Sequence, residues 1–218
     1  MNLKSNIYKA TTFYLVRHAE TVGNVEEKLI GQSSSPLTDN GVKQAEDLAE
    51  ELKNVRFGAI YASDLNRAIQ TAQIIAKPHK LEVKTSELIR ELSFGKYEGW
   101  RSEDFMKIFG EVVKQREQMS DEDRLAHVVD PEIETDISAA KRMARFLDET
   151  AQSHPGETVL AVSHGAILRS FLIYFKLFNY HNLPHGAIKN CSYVVLKKQN
   201  DKYALEKLDR IDLVKGIR

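Results

Sequence analysis

Four short apolar segments separated by helical patterns constrain this chain more than any other feature. Phe13 to Val16, Phe57 to Ala62 and Thr158 to Val162 are short apolar runs, and Leu81 to Leu88 alternates. Runs of this length and make-up read as strands, and continuous ones belong to strands covered on both faces. Amphipathic helices lie between most of them. A helix joining two strands returns the chain to the same end of the sheet, so successive strands lie parallel. The expected fold class is α/β, a three-layer α/β/α sandwich around a mostly parallel central sheet.

Thr38 reads as the cap of a first helix whose inner face is Val42, Ala45, Leu48, Ala49 and Leu52, ending near Asn54. Asp64 reads as the cap of a second, with Leu65, Ala68, Ala72, Ile75 and Ala76 inside, Pro78 at its end and Arg67 in its first turn. Further helices fit Ile137 to Ser153, stopped by Pro155-Gly156, and Ala166 to Phe178. Cys191 to Lys197 and Tyr203 to Leu208 pair as a hairpin with Asn200-Asp201 near the turn, which supplies an antiparallel edge. The highly charged stretch from about 101 to 134 has helical segments such as Phe105 to Gln118 and no strong strand, as expected of a helical lid inserted on the sheet.

With 218 residues, one α/β domain spanning 1–218 accounts for the chain. Lys plus Arg and Asp plus Glu each number 31. This balance gives no global field to attract nucleic acid or an anionic membrane, so a charged metabolite needs a local basic pocket. Met1 to Thr12 is polar, and Arg17 and His18 interrupt the apolar run that follows, so neither a signal-peptide core nor a membrane span is expected. The single cysteine, Cys191, sits in an apolar stretch, which suggests a buried thiol and a reducing, cytoplasmic setting.

The chemistry-bearing residues fall where strands end. Arg17 and His18 follow the first strand, Arg67 the second, Glu91 the third and His164 the fourth. In open α/β sheets, ligands bind at the carboxyl ends of the strands. A neutral imidazole can attack phosphorus, and guanidinium groups both favour the neutral form and grip phosphate oxygens with forked donors. Phosphoryl transfer is catalysed mainly by positioning and charge stabilisation, which two arginines and a second histidine supply without metal, leaving Glu91 as proton donor. Taken singly, each residue has a plainer reading: Arg67 as a solvated surface group, Glu91 as the partner of Arg90, His164 as a satisfied strand-end histidine.

The ordered motifs resemble the histidine phosphatase superfamily, which includes phosphoglycerate mutase and the bisphosphatase of fructose bisphosphate metabolism. The residues that carry the resemblance are Leu15-Val16-Arg17-His18-Ala19-Glu20-Thr21 with Asn24, Pro36-Leu37-Thr38 with Gly41 and Gln44-Ala45, and Ala62-Ser63-Asp64-Leu65 with Arg67-Ala68 and Thr71-Ala72. Glu91-Leu92 with Phe94-Gly95 and Glu98-Gly99, and Val162-Ser163-His164-Gly165 with Arg169, complete the set over nearly the whole chain. Ala19 stands where many members have glycine. The resemblance implies that His18 becomes a phosphohistidine, that Arg17, Arg67 and His164 hold the phosphoryl oxygens, that Glu91 protonates the leaving oxygen and that Asn24 adds a substrate hydrogen bond. It implies no cofactor and no metal, and it allows a homodimer.

After Glu91, the run Leu-Ser-Phe-Gly-Lys-Tyr-Glu-Gly-Trp looks like the phosphatase members, which favours hydrolysis of a small phosphorylated metabolite. A phosphoglycerate mutase is the alternative, and a noncatalytic interaction module on the same fold is disfavoured because the whole set of site residues is present. Other candidates carry less. Pro184 lies between His181 and His185, which argues for a loop rather than a metal site. Glu20 and Gln32 are near enough in sequence to touch substrate. Lys107, Lys114 and Arg116 read first as a solvated helix face, and Trp100 as packing.

Overall fold

The computed structural model describes residues 9–214, so the first eight residues of the polar N-terminal stretch lie outside the described residues. Among the described residues, six strands form one sheet: β1 Thr11–Arg17, β2 Ala59–Ser63, β3 Val83–Ser86, β4 Thr158–Ser163, β5 Ile188–Gln199 and β6 Lys202–Ile211. Their order across the sheet is β3-β2-β4-β1-β5-β6. The first four are parallel, and β5 and β6 run antiparallel to their neighbours. The antiparallel edge is therefore a long hairpin, turning at Asn200-Asp201, where Asn200 takes the left-handed conformation that asparagine tolerates.

The helices are α1 Val22–Val25, α2 Asp39–Leu52, α3 Asn66–Ala76, α4 Ser102–Glu117, α5 Asp121–Ala126, α6 Asp136–Ser153 and α7 Gly165–Tyr174. Strand alternation divides the core in two. Phe13 and Leu15 of β1 and Val159 and Ala161 of β4 pack with Met143 and Leu147 of α6 and Ile167 and Phe171 of α7. Val16, Ile60, Leu160 and Val162 face the other way, onto Leu48 and Leu52 of α2 and Ala72 and Ile75 of α3. Each fully buried large apolar side chain contributes roughly 1.5–3 kcal/mol. The connections change face after β3, so the helices that follow the adjacent strands β1 and β4 lie on opposite faces, and a crevice opens between those two strand ends.

Several local expectations shift. Thr38 caps α2, its hydroxyl accepting the Gly41 N–H at 2.9 Å. The innermost residue of the first turn is Gly41, while Val42 is 38% exposed. A Cβ at Gly41 would lie 2.1 Å from the Glu20 carbonyl oxygen, so only glycine lets the helix approach that loop. Asp64 does not cap α3, which starts after Leu65 with no side-chain cap. The Asp64 carboxylate instead takes a two-pronged hydrogen bond from the Arg90 guanidinium, a stronger claim on it than one backbone N–H. The third strand is shorter than the alternating run, because Glu87–Ile89 tightens into a 3-10 turn.

The 101–134 stretch holds α4 and α5. Phe105 and Phe109 of α4 pack with Tyr97 and Ile133, and Leu125 of α5 packs with Ile173 and Tyr180. Both helices are thus seated on the body by small apolar clusters. No helix among the described residues is long and apolar enough to cross a membrane.

Candidate active site

Register brings the two histidines together. β1 and β4 are parallel neighbours with Arg17 opposite Ser163. The next residues, His18 and His164, leave the sheet side by side with ring centroids 5.1 Å apart. His18 is 3% exposed and His164 fully buried. A cleft of about 210 Å³ opens above them, lined by Arg17, His18, Asn24, Arg67 and Glu91 among others.

The backbone around His18 is held from three sides. Its N–H donates to the Ser163 carbonyl at 2.9 Å, its carbonyl accepts from Asn190 Nδ2 at 3.0 Å, and the Ala19 N–H donates to Thr71 Oγ1 at 3.0 Å. The ring Nδ1 lies 2.7 Å from the Ala19 carbonyl oxygen, which can only accept, so Nδ1 carries the proton. Burial, then Arg67 and Arg17, hold the His18 pKa well below the ordinary value, so the ring is neutral and Nε2 presents a lone pair. This is the protonation state that a nucleophilic imidazole needs.

Arg67 and His164 interlock. Arg67 lies in the first turn of α3 at 2% exposure. Its Nη1 donates to the Ser33 carbonyl at 2.9 Å and its Nη2 to the Gly31 carbonyl at 2.6 Å. Gly31 is in the left-handed region, and a Cβ there would meet the Glu98 carboxylate. Arg67 Nε donates to His164 Nδ1 at 3.2 Å. His164 is also held neutral by burial and then by Arg67 and His18. With Nδ1 accepting, its proton sits on Nε2, a buried donor with no hydrogen-bond partner among the described residues. Arg17 Nε is a second such donor, while Arg17 Nη1 is held by the Ile188 carbonyl at 2.6 Å. Burial lowers the pKa of both arginines, Arg67 to about 10, and both stay cationic at neutral pH.

Glu91 caps α7 from another segment. Its Oε2 accepts the Ala166 N–H at 3.1 Å and its Oε1 the Ile167 N–H at 2.9 Å, at a helix terminus whose own N-cap, His164, offers no side-chain cap. A carboxylate there is favoured by the unsatisfied N–H groups and the helix dipole. Glu91 pairs with α7 and not with Arg90, whose guanidinium is on Asp64. Arg142 of α6 fixes the backbone on either side, donating to the carbonyls of Leu88 at 3.0 Å and Glu91 at 2.9 Å and pairing with Glu134.

Asn24 is both a cap and a cleft residue. Its Oδ1 accepts from the Thr21 N–H and from Asn190, so what it offers to a ligand is its Nδ2 donors. Glu20 and Gln32 are drawn into framework bonds. Glu20 accepts from Thr38 Oγ1 at 2.7 Å, Gln32 donates to the Glu91 carbonyl at 3.1 Å, and neither lines the cleft. Lys107 and Lys114 pair with Asp104 and Glu111 on the exposed helix face, whereas Arg116 turns inward onto Asp136 at 2.6 Å. Trp100 packs edge-on against Tyr97. His181 and His185 fall in the loop before β5, as Pro184 implied, but His185 lines the cleft. The Cys191 thiol is buried and its pKa is pushed up to about 12 by that burial.

Sequence reasoning missed the supporting layer: Arg142, the Asp64–Arg90 pair, His185, and the irregular start of β5. There the register with β6 shifts between Ile188 and Tyr193, and Cys191 adopts a positive φ of 54°. The shift aims the Ile188 carbonyl at Arg17 and Asn190 at His18. Bulges re-aim groups beside active sites in this way. No local pattern in that stretch announces it.

The family model described as "Histidine phosphatase superfamily (branch 1)" matches residues 13–210. A relative named probable phosphoglycerate mutase GpmB, from Yersinia pestis (strain Pestoides F), is 35% identical over 179 residues, 82% of this chain and 81% of the relative. Among solved structures, Bacillus stearothermophilus YhfR superposes with a TM-score of 0.78 at 26% identity, covering 89% of this chain and 95% of that one. An Entamoeba histolytica phosphoserine phosphatase mutant in complex with phosphoserine gives 0.75 at 27%, covering 91% and 96%.

Proposed function

The chain belongs to branch 1 of the histidine phosphatase superfamily; its relatives include one named a probable phosphoglycerate mutase and one named a phosphoserine phosphatase, and on that footing we propose that it is a phosphomonoesterase acting on a small phosphorylated metabolite. The observation that carries this reading is the neutral His18 ring, its proton held on Nδ1 by the Ala19 carbonyl and its Nε2 free.

His18 Nε2 attacks phosphorus and the bond from phosphorus to the ester oxygen breaks. Arg17, Arg67 and His164 Nε2–H stabilise the charge on the non-bridging oxygens, and Asn24 Nδ2 adds a donor. The Glu91 carboxylate takes up the proton that the phosphate monoanion brings and delivers it to the departing oxygen. Water then attacks the phosphohistidine, its proton passes to Glu91, the P–N bond breaks and inorganic phosphate leaves. No metal takes part, since cationic and neutral donors already surround the phosphoryl group. The name of the Yersinia relative supports one second reading, a mutase that returns the phosphoryl group to a phosphoglycerate.

Incubation with p-nitrophenyl phosphate, followed by an alkaline quench and detection of phosphohistidine, tests the assignment. The wild-type protein should trap phosphate on residue 18 and His18→Ala should neither trap it nor turn over. Equal turnover by the two proteins removes His18 from the reaction. Activity should survive chelator, and a loss restored by a divalent metal would refute the metal-free chemistry. Interconversion of phosphoglycerates faster than release of phosphate would establish the mutase reading instead.

A further inference from the structure

Beyond the phosphate cleft the interior widens into a second chamber of about 440 Å³. The two share Leu29, Phe94, Ser102, Ala166, Arg169 and His185, so a single molecule can occupy both. Leu92, Phe105, Met106, Val113, Val129 and Ile133 form most of the chamber's apolar wall, much of it from α4 and the loop after α5. Phosphoglycerate is small and carries polar groups on every carbon. It would leave this wall uncovered.

The chamber also has a polar side. The guanidinium groups of Arg124 and Arg169 lie over the Tyr180 ring at 4.1 and 4.6 Å from its centroid. Arg116 donates to the Arg124 carbonyl at 3.1 Å and pairs with Asp136 at 2.6 Å. Asp136 also accepts the Ser170 hydroxyl at 2.6 Å. Of the other wall carboxylates, Glu134 is paired with Arg142 and Glu117 is exposed. Three arginines thus gather on a side of the chamber whose one remaining carboxylate, Asp136, is already taken by Arg116 and Ser170, and burial lowers Arg169 to about 10.

Two of those arginines have an unmet donor. Arg116 Nε and Arg124 Nε are buried with no hydrogen-bond partner among the described residues. An arginine Nε–H can only donate, and leaving it buried and unpaired is unfavourable, so an acceptor from outside the chain relieves it. A carboxylate would also offset the excess cationic charge.

Resting on the phosphatase reading, we infer that the substrate is the phosphate ester of an amphipathic alcohol, with an apolar body against the α4 wall and a carboxylate at its far end read by Arg116 and Arg124. The phosphate end sits on His18, and the apolar body excludes water from the cleft between. Selectivity therefore comes from the 101–134 segment and not from the phosphate site.

Primary alkyl phosphates separate these features at matched leaving-group chemistry. The panel is a series of ω-phosphooxyalkanoates of increasing chain length, alkyl phosphates of the same lengths, and 3-phosphoglycerate. At least one ω-phosphooxyalkanoate should exceed both its alkyl counterpart and 3-phosphoglycerate by about 10-fold or more in kcat/KM, as a charged hydrogen bond of about 1.5–3 kcal/mol requires. Arg124→Met, which keeps an unbranched stem but removes the guanidinium over Tyr180, should bring the ratio of carboxylated to plain ester close to one, and Arg116→Gln should lower it. A ratio at or below one at every length, or preference for 3-phosphoglycerate, overturns the inference while phosphohistidine trapping leaves the phosphatase reading standing. Failure to turn over any ester, with no phosphohistidine, defeats both.

Discussion

At the scale of single residues, the site works by committing one atom of each side chain to the framework and leaving another for the ligand. His18 spends Nδ1 on Ala19, His164 spends Nδ1 on Arg67, and Asn24 spends Oδ1 on its own helix cap. Each tautomer or orientation is thereby set before substrate arrives, so little reorganisation remains for the reaction itself. Glu91 is held at the start of α7 by the same logic. Glu91→Gln keeps an acceptor for those N–H groups but has no proton to give. Its kcat/KM on alkyl phosphates should fall by about 100-fold or more, and on p-nitrophenyl phosphate by about 10-fold or less, because a good leaving group needs little protonation. Equal losses on both esters, measured under the same conditions, would remove Glu91 from the acid role. The type and order of these residues were legible in the sequence. Which ring nitrogen is left free for the cleft was not, because it depends on acceptors contributed by the fold.

At the scale of elements, helices and strand ends are joined by buried polar clamps that the hydrophobic pattern does not reveal. Arg142 reaches from α6 to the carbonyls of Leu88, Arg90 and Glu91 and to Glu134, and both members of that ion pair are largely buried, at 18% and 15% side-chain exposure. Arg142→Met should cost roughly 3 kcal/mol in a urea-unfolding measurement, since it leaves Glu134 and the carbonyls without their donor. It should also lower kcat more than it raises KM, because it frees Glu91 and leaves the phosphate donors in place. A variant as stable as wild type would show that the clamp is surplus. Asp64 illustrates the limit of local reading: it has the spacing of a helix cap, but Arg90 is closer and charged, and the tertiary partner wins.

At the scale of the whole molecule, enclosing His18 and His164 makes stability depend on pH. Burial and neighbouring arginines lower both folded pKa values well below the ordinary 6.5, and burial lowers His185 as well. Above pH 6.5 these rings are neutral folded or unfolded and add no pH dependence. As pH falls below 6.5 the unfolded chain takes up protons that the folded one refuses, so stability is lost, at up to about 1.4 kcal/mol per pH unit for each histidine. The melting temperature should therefore drop between pH 6.5 and 5, and His164→Gln should flatten that drop. A wild-type melting temperature that is level across the interval would contradict the burial argument. The strand and helix alternation, and with it the parallel α/β layering, follows from the sequence alone, because side-chain periodicity decides which faces can be buried. So does the placement of Arg17, His18, Arg67, Glu91 and His164 at successive strand ends. What only the tertiary structure decided is the pairing of β1 with β4 that puts His18 against His164, the irregular β5 that aims Asn190 and the Ile188 carbonyl into the site, and the chamber under α4 with arginine donors that find no partner among the described residues. These join residues up to 172 positions apart, as Asn190 and His18 are. Local propensity and periodicity carry no information over that separation, and only packing of the whole chain supplies the partner.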